Sequence, residues 1–152
     1  MIGDRITESM ANMMLRQMGA VQIKNMLARV NKVKFKLEEH LNVTYIYEVK
    51  KNDVIYLNRV RPYGMFLGSA ENERELVSAI RKDLEIFRHA HDNPNFHKYI
   101  EVTLKIQDLV KRLEAAYLDK DVSIEKLESI GRSVDALRAQ IGAGDAADSG
   151  AP

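Results

Sequence analysis

Between Lys32 and Leu37 polar and apolar side chains alternate strictly: Lys32, Val33, Lys34, Phe35, Lys36, Leu37. A period of two puts Val33, Phe35 and Leu37 on one face of an extended strand and the three lysines on the other. Val43–Val49 and Val54–Val60 are dense in β-branched and aromatic residues, which fit a pleated, half-buried surface. Between them, Lys50-Lys51-Asn52-Asp53 suits a hairpin loop. Arg61-Pro62-Tyr63-Gly64 suits a turn, because Pro62 presets φ at its second position. Met65-Phe66-Leu67 then predicts a short fourth strand. The connections are too short for helical crossovers, so three or four strands should form an antiparallel meander. One face of such a sheet is buried and the other wet, and lysines suit a wet edge strand.

Either side of this stretch the apolar period lengthens to that of a helix. Ile6, Met10, Met13, Met14, Met18 and Val21 share one face, which Ile23, Leu27 and Val30 continue, predicting a helix over residues 4–30. Gly19 costs about 1 kcal/mol relative to alanine in a helix interior and is a candidate break. Unbroken, this helix would be about 40 Å long at 1.5 Å per residue, whereas strands of six to eight residues reach about 20–27 Å. The mismatch predicts either a bend at Gly19 or an overhanging apolar face that needs a partner. Beyond the sheet, Ser69 or Asn72 can cap a helix carrying Leu76, Val77, Ile80, Leu84 and Phe87 on its apolar face, ending at Asp92-Asn93-Pro94-Asn95. Asn95 can cap a further helix to Leu118, with Tyr99, Ile106, Leu109, Val110, Leu113 and Tyr117 on its buried side. Ser123 caps the last helix, where Ile124, Leu127, Ile130, Val134, Leu137 and Ile141 make one narrow seam. The link between these two helices is short, so the pattern predicts an antiparallel helical hairpin.

The reading is therefore an α+β fold: an N-terminal helix, a three- to four-stranded antiparallel meander, then three helices, the last two paired. Residues 1–141 are expected to form a single domain, and residues 142–152 (GAGDAADSGAP) a disordered tail. The composition, 45% hydrophobic and 30% charged, is that of an ordinary globular protein. The absence of cysteine excludes disulfides, thiolate zinc sites and a cysteine nucleophile, and suits a reducing, cytoplasmic setting. No apolar run has the length of a membrane span, and Asp4, Arg5 and Glu8 are foreign to a secretory signal. Net charge is +1, yet residues 1–37 hold seven Lys or Arg against Asp4 and Glu8. The rest of the chain is acidic by compensation.

Candidate chemistry is sparse. No dinucleotide fingerprint, phosphate loop, HExxH or GxSxG is present, and no cofactor is expected. Six of the seven methionines fall in the first 26 residues, and methionine's flexible side chain suits varied partner surfaces. The leading expectation is a non-enzymatic interaction module, adaptor- or chaperone-like and homodimeric. Its association surface would be Met10, Met13, Met14 and Met18 together with Ile130, Val134 and Leu137 of the last helix. Two alternatives stand beside it. One is a nucleic-acid-binding sheet face carrying Lys32, Lys34, Lys36, Arg59 and Arg61, with Tyr45, Tyr47, Tyr56 and Tyr63 as stacking surfaces. The other is a metal or acid/base site made by His89, Asp92 and His97 around Pro94.

Overall fold

The computed structural model describes residues 9–142; the expected tail, but for Gly142, and residues 4–8 of the expected first helix lie outside them. The elements run α1 (Met10–Gln17), β1 (Ala28–Lys36), β2 (Asn42–Lys50), β3 (Ile55–Arg61), β4 (Met65–Ala70), α2 (Glu73–Arg88), α3 (Phe96–Leu118) and α4 (Ile124–Ile141). They fall into two compact units, residues 1–94 and 95–152, divided at the Pro94 turn.

In the first unit the four strands form one antiparallel sheet in the order β1-β2-β3-β4. Phe35 lies opposite Val43 and Val33 opposite Tyr45 in the β1–β2 ladder, and Tyr47 opposite Leu57 between β2 and β3. These residues share the inner face. Val43, Tyr45, Ile55, Leu57, Tyr63 and Ala70 are buried there against Leu76, Ile80, Leu84 and Phe87 of α2. Full burial of each large side chain in this set stabilises the fold by about 1.5–3 kcal/mol. Within the sheet Phe35 meets Tyr45 edge-on at 6.0 Å between centroids, and Tyr63 meets Phe87 of α2 at 6.1 Å, joining sheet to helix. The helix α2 packs on β2, β3 and β4. On β1, Asn31, Val33 and Phe35 stay half-buried while Lys32, Lys34 and Lys36 are exposed, as the alternation predicts.

Asn72 caps α2: its side chain accepts a 2.9 Å hydrogen bond from the Glu75 backbone N–H. Glu75 reciprocates by accepting from the Glu71 N–H at 2.9 Å. One backbone donor of the helix's first turn and one just before its cap are satisfied this way. Val77, expected on the buried stripe, is exposed, and Asp83 is buried instead.

The largest departure from the sequence reading is at the front. Helix α1 ends at Gln17, and Gly19 follows at φ +102°, a left-handed conformation that glycine adopts without strain. The candidate break at Gly19 is thus present, but the helix expected beyond it is not, and residues 20–27 are irregular. Ala28, Arg29 and Val30 belong to β1, paired with Lys50, Val49 and Glu48. The ladder wins because the far end of β2 needs a partner for its backbone groups, and helix propensity is weak beside such pairing.

The second unit consists of α3 and α4 with their short link. Ser123 caps α4 by accepting from the Lys126 N–H at 3.3 Å. Neither helix has a buried residue. The two consecutive helices are present as expected, but the seam of α4 is only partly covered: Leu127 and Ile130 are half-buried, whereas Ile124 and Ile141 at its ends are exposed. Among the described residues, no helix is long and apolar enough to cross a membrane.

Candidate functional site

Two surfaces gather the residues of interest. The first is apolar and helical. Met10, Met13 and Met14 on α1 and Met18 at its C-terminal cap are all exposed, Met18 to 80%. An isolated helix needs roughly 12–15 residues to hold together in water, and the eight residues of α1 bury none of their side chains. On α4, Val134 and Leu137 are exposed and Ile130 half-buried. The apolar residues of α3 are similarly open: Tyr99, Ile106, Leu109, Val110 and Tyr117 are exposed. The polar sides of these helices carry ordinary surface pairs. Glu101 accepts from Lys105 at 2.6 Å and from Lys98 at 2.9 Å. Those hydrogen bonds, Lys105 first, hold its carboxyl down to about 2.

The second surface is the outer face of the sheet. Antiparallel register places Lys34 opposite Thr44, and Thr44 opposite Arg61. The next row toward the other end is Lys32, Ile46, Asn58 and Phe66, and beyond it come Val30, Glu48, Tyr56 and Ser69. A bulge between Thr44 and Tyr45 and another between Leu57 and Asn58 re-aim the strands. A groove of about 600 Å³ opens at the basic end, lined among others by Lys32, Lys34, His40, Thr44 and Arg61. Across the middle, the Tyr56 and Phe66 rings lie 6.4 Å apart at an interplanar angle of 31°. Both are exposed, 38% and 61%. The acidic residue in these rows, Glu48, is paired with Lys50 at 3.1 Å, and the same ammonium sits 5.3 Å from the Tyr56 centroid. Among the described residues Lys32, Lys34, Lys36 and Arg61 have no carboxylate partner.

Arg59 is not part of that face. It alternates with Ile55 and Leu57 and points inward, where it is only 1% exposed. Its Nη1 donates to Asp83 Oδ1 at 2.6 Å and its Nε to the Tyr63 carbonyl at 3.2 Å. Its guanidinium carbon lies 4.1 Å from the Tyr63 centroid and 5.1 Å from that of Phe87. Tyr45 donates to the other carboxylate oxygen, Asp83 Oδ2, at 2.8 Å. Burial, reinforced by the Asp83 hydrogen bond and charge, pushes the Tyr45 phenol well above its ordinary range. Tyr45 and Tyr63 are buried too, so of the four tyrosines expected as stacking surfaces only Tyr56 is open on the outer face. Phe66, which sequence reasoning left as a strand residue, joins it.

At the histidine turn the partners of Asp92 are local. His91, not His89, meets Asp92, with Nε2 to Oδ1 at 3.0 Å, and its Nδ1 lies 3.7 Å from Glu38. His89 and Asp92 belong to the first unit and His97 to the second. Among the described residues no three His, Asp or Glu side chains form a group able to hold a metal. No protein-family model, curated protein or solved structure matches this chain.

Proposed function

We propose that the protein is a non-enzymatic interaction module, adaptor- or chaperone-like, that acts as a homodimer in the reducing cytoplasmic setting that a cysteine-free chain suits. One observation carries this reading: α3 and α4, amphipathic helices of 23 and 18 residues, bury no side chain fully. Most of the stability of an amphipathic helix comes from packing its apolar face rather than from propensity. The stripes of both helices therefore call for a cover. A second copy supplies it most simply, because two helical pairs with narrow seams close into a four-helix bundle. Full burial of such side chains is worth about 1.5–3 kcal/mol each, and covering the part of Ile130, Val134 and Leu137 that is still open adds roughly half of that or less. The exposed methionines of α1 add an adaptable surface for a further protein. Sedimentation equilibrium tests the proposal. A dimer is expected at micromolar concentration, and a monomer persisting at about 100 µM overturns it.

A further inference from the structure

We propose that the outer face of the sheet binds single-stranded nucleic acid, with bases stacking on Tyr56 and Phe66 and phosphates held by Lys32, Lys34, Lys36 and Arg61. This goes beyond the association reading and is independent of it, because it uses a different surface.

Three features converge. The first is the pair of rings. They come from adjacent strands, β3 and β4, and lie exposed on the side of the sheet away from the core. A wet sheet face ordinarily carries polar side chains there. Two neighbouring open rings instead offer two consecutive platforms for planar partners, and every base has a π-face.

The second feature is the charge beside them. Lys32 stands in the same cross-strand row as Phe66, and Lys34 in the row of Arg61. None of these cations is neutralised by a carboxylate among the described residues. Glu48, the acid within the rows, is already held by Lys50. The third feature is shape: Lys32, Lys34 and Arg61 line an open groove of about 600 Å³, with Thr44 and His40 along its wall.

Cations and exposed rings in adjoining rows match the alternation of phosphate and base along an unpaired strand. An acidic peptide accounts for the charges and leaves the rings unexplained. A duplex hides its base faces within the stack, so it can use only the cations.

Fluorescence anisotropy of the full-length protein with 20-nucleotide poly-dT and poly-U tests the proposal. Single strands are expected to bind, with log K falling against log salt at a slope of about −3 for four phosphate contacts. The double variant Lys32→Ser/Lys34→Ser should make that slope shallower by about 1.4. Tyr56→Ala/Phe66→Ala should weaken binding by about tenfold or more per ring. Because that variant removes apolar surface, photo-crosslinking of wild-type protein to 5-iodouridine oligonucleotides gives a second measurement, with adducts expected on Tyr56 or Phe66. The proposal is overturned by no binding at 50 mM salt, by equal affinity for duplex DNA or polyglutamate, or by adducts confined to residues off this face.

Discussion

Arg59 and Asp83 are twenty-four residues apart in sequence and form an ion pair at 2.6 Å in the core of the sheet–helix layer. Everything around them completes that pair. The Tyr63 carbonyl takes the guanidinium Nε, the Tyr45 hydroxyl donates to the second carboxylate oxygen, and the rings of Tyr63 and Phe87 cover the cation. A buried pair adds net stability only when its remaining hydrogen-bonding capacity is met, and here most of it is.

Breaking the pair from one side should therefore be severe. Asp83→Ala leaves the Arg59 charge buried without compensation and is expected to destabilise the first unit by about 3–5 kcal/mol. Arg59→Met/Asp83→Leu should recover much of that loss, since an apolar pair of similar volume is often neutral or better. Urea unfolding followed by far-ultraviolet circular dichroism measures both.

The same network makes stability depend on alkaline pH. The folded state raises the Tyr45 phenol above its ordinary value of 10.0, through burial first and then Asp83. The unfolded chain releases that proton near its ordinary value and the folded chain does not. The contribution is thus fully present below pH 10 and is lost as pH rises beyond it. The urea midpoint should fall between pH 9.5 and 11.5, roughly, and Tyr45→Phe should flatten that fall, because phenylalanine has no proton to release.

Gly68 sits at φ +108°, beside the bulge where Leu57 pairs with it and Asn58 pairs with Phe66. No atom lies close enough to collide with an added methyl group. Any cost of Gly68→Ala is therefore backbone strain alone, expected at about 1–3 kcal/mol. Thermal unfolding compared with Gly131→Ala, in the helix α4 and also free of close neighbours, separates the two effects. The helical site should gain about 1 kcal/mol of local helix stability instead.

Association through the α4 seam predicts a clean phenotype. Val134→Lys/Leu137→Lys puts two charges into the shared apolar stripe and should convert the dimer to a monomer in sedimentation. The first unit, whose core contains neither residue, should keep its urea midpoint. A dimer that survives both substitutions would place the interface elsewhere on the chain.

The outer-face cations and the inner-face arginine show how far pattern reading reaches. Alternation alone put Lys32, Lys34 and Lys36 on the wet face, and they are there. The same period-two rule sets Arg59 in line with Ile55 and Leu57, and the helical period sets Asp83 beside Leu76, Ile80, Leu84 and Phe87. Two opposite charges, each on an otherwise apolar stripe, were the legible sign of a buried pair. Reading Arg59 by its charge rather than by its register placed it wrongly on the surface.

Sequence by itself determined the order of elements, the hairpin loops, a cap for α2 at Ser69 or Asn72 and the alternation of faces along the strands. These follow from local rules: side-chain periodicity, turn chemistry and capping act over a few residues. Only the tertiary structure decided that Ala28–Val30 join the sheet and that Asp83 rather than Val77 enters the core. It also decided that Phe66 pairs with Tyr56. Each of those depends on a partner distant in the chain: an unpaired strand end, a buried cation, a ring on the neighbouring strand. Local pattern carries no record of such partners, because their free energy arises only once the chain has brought them together.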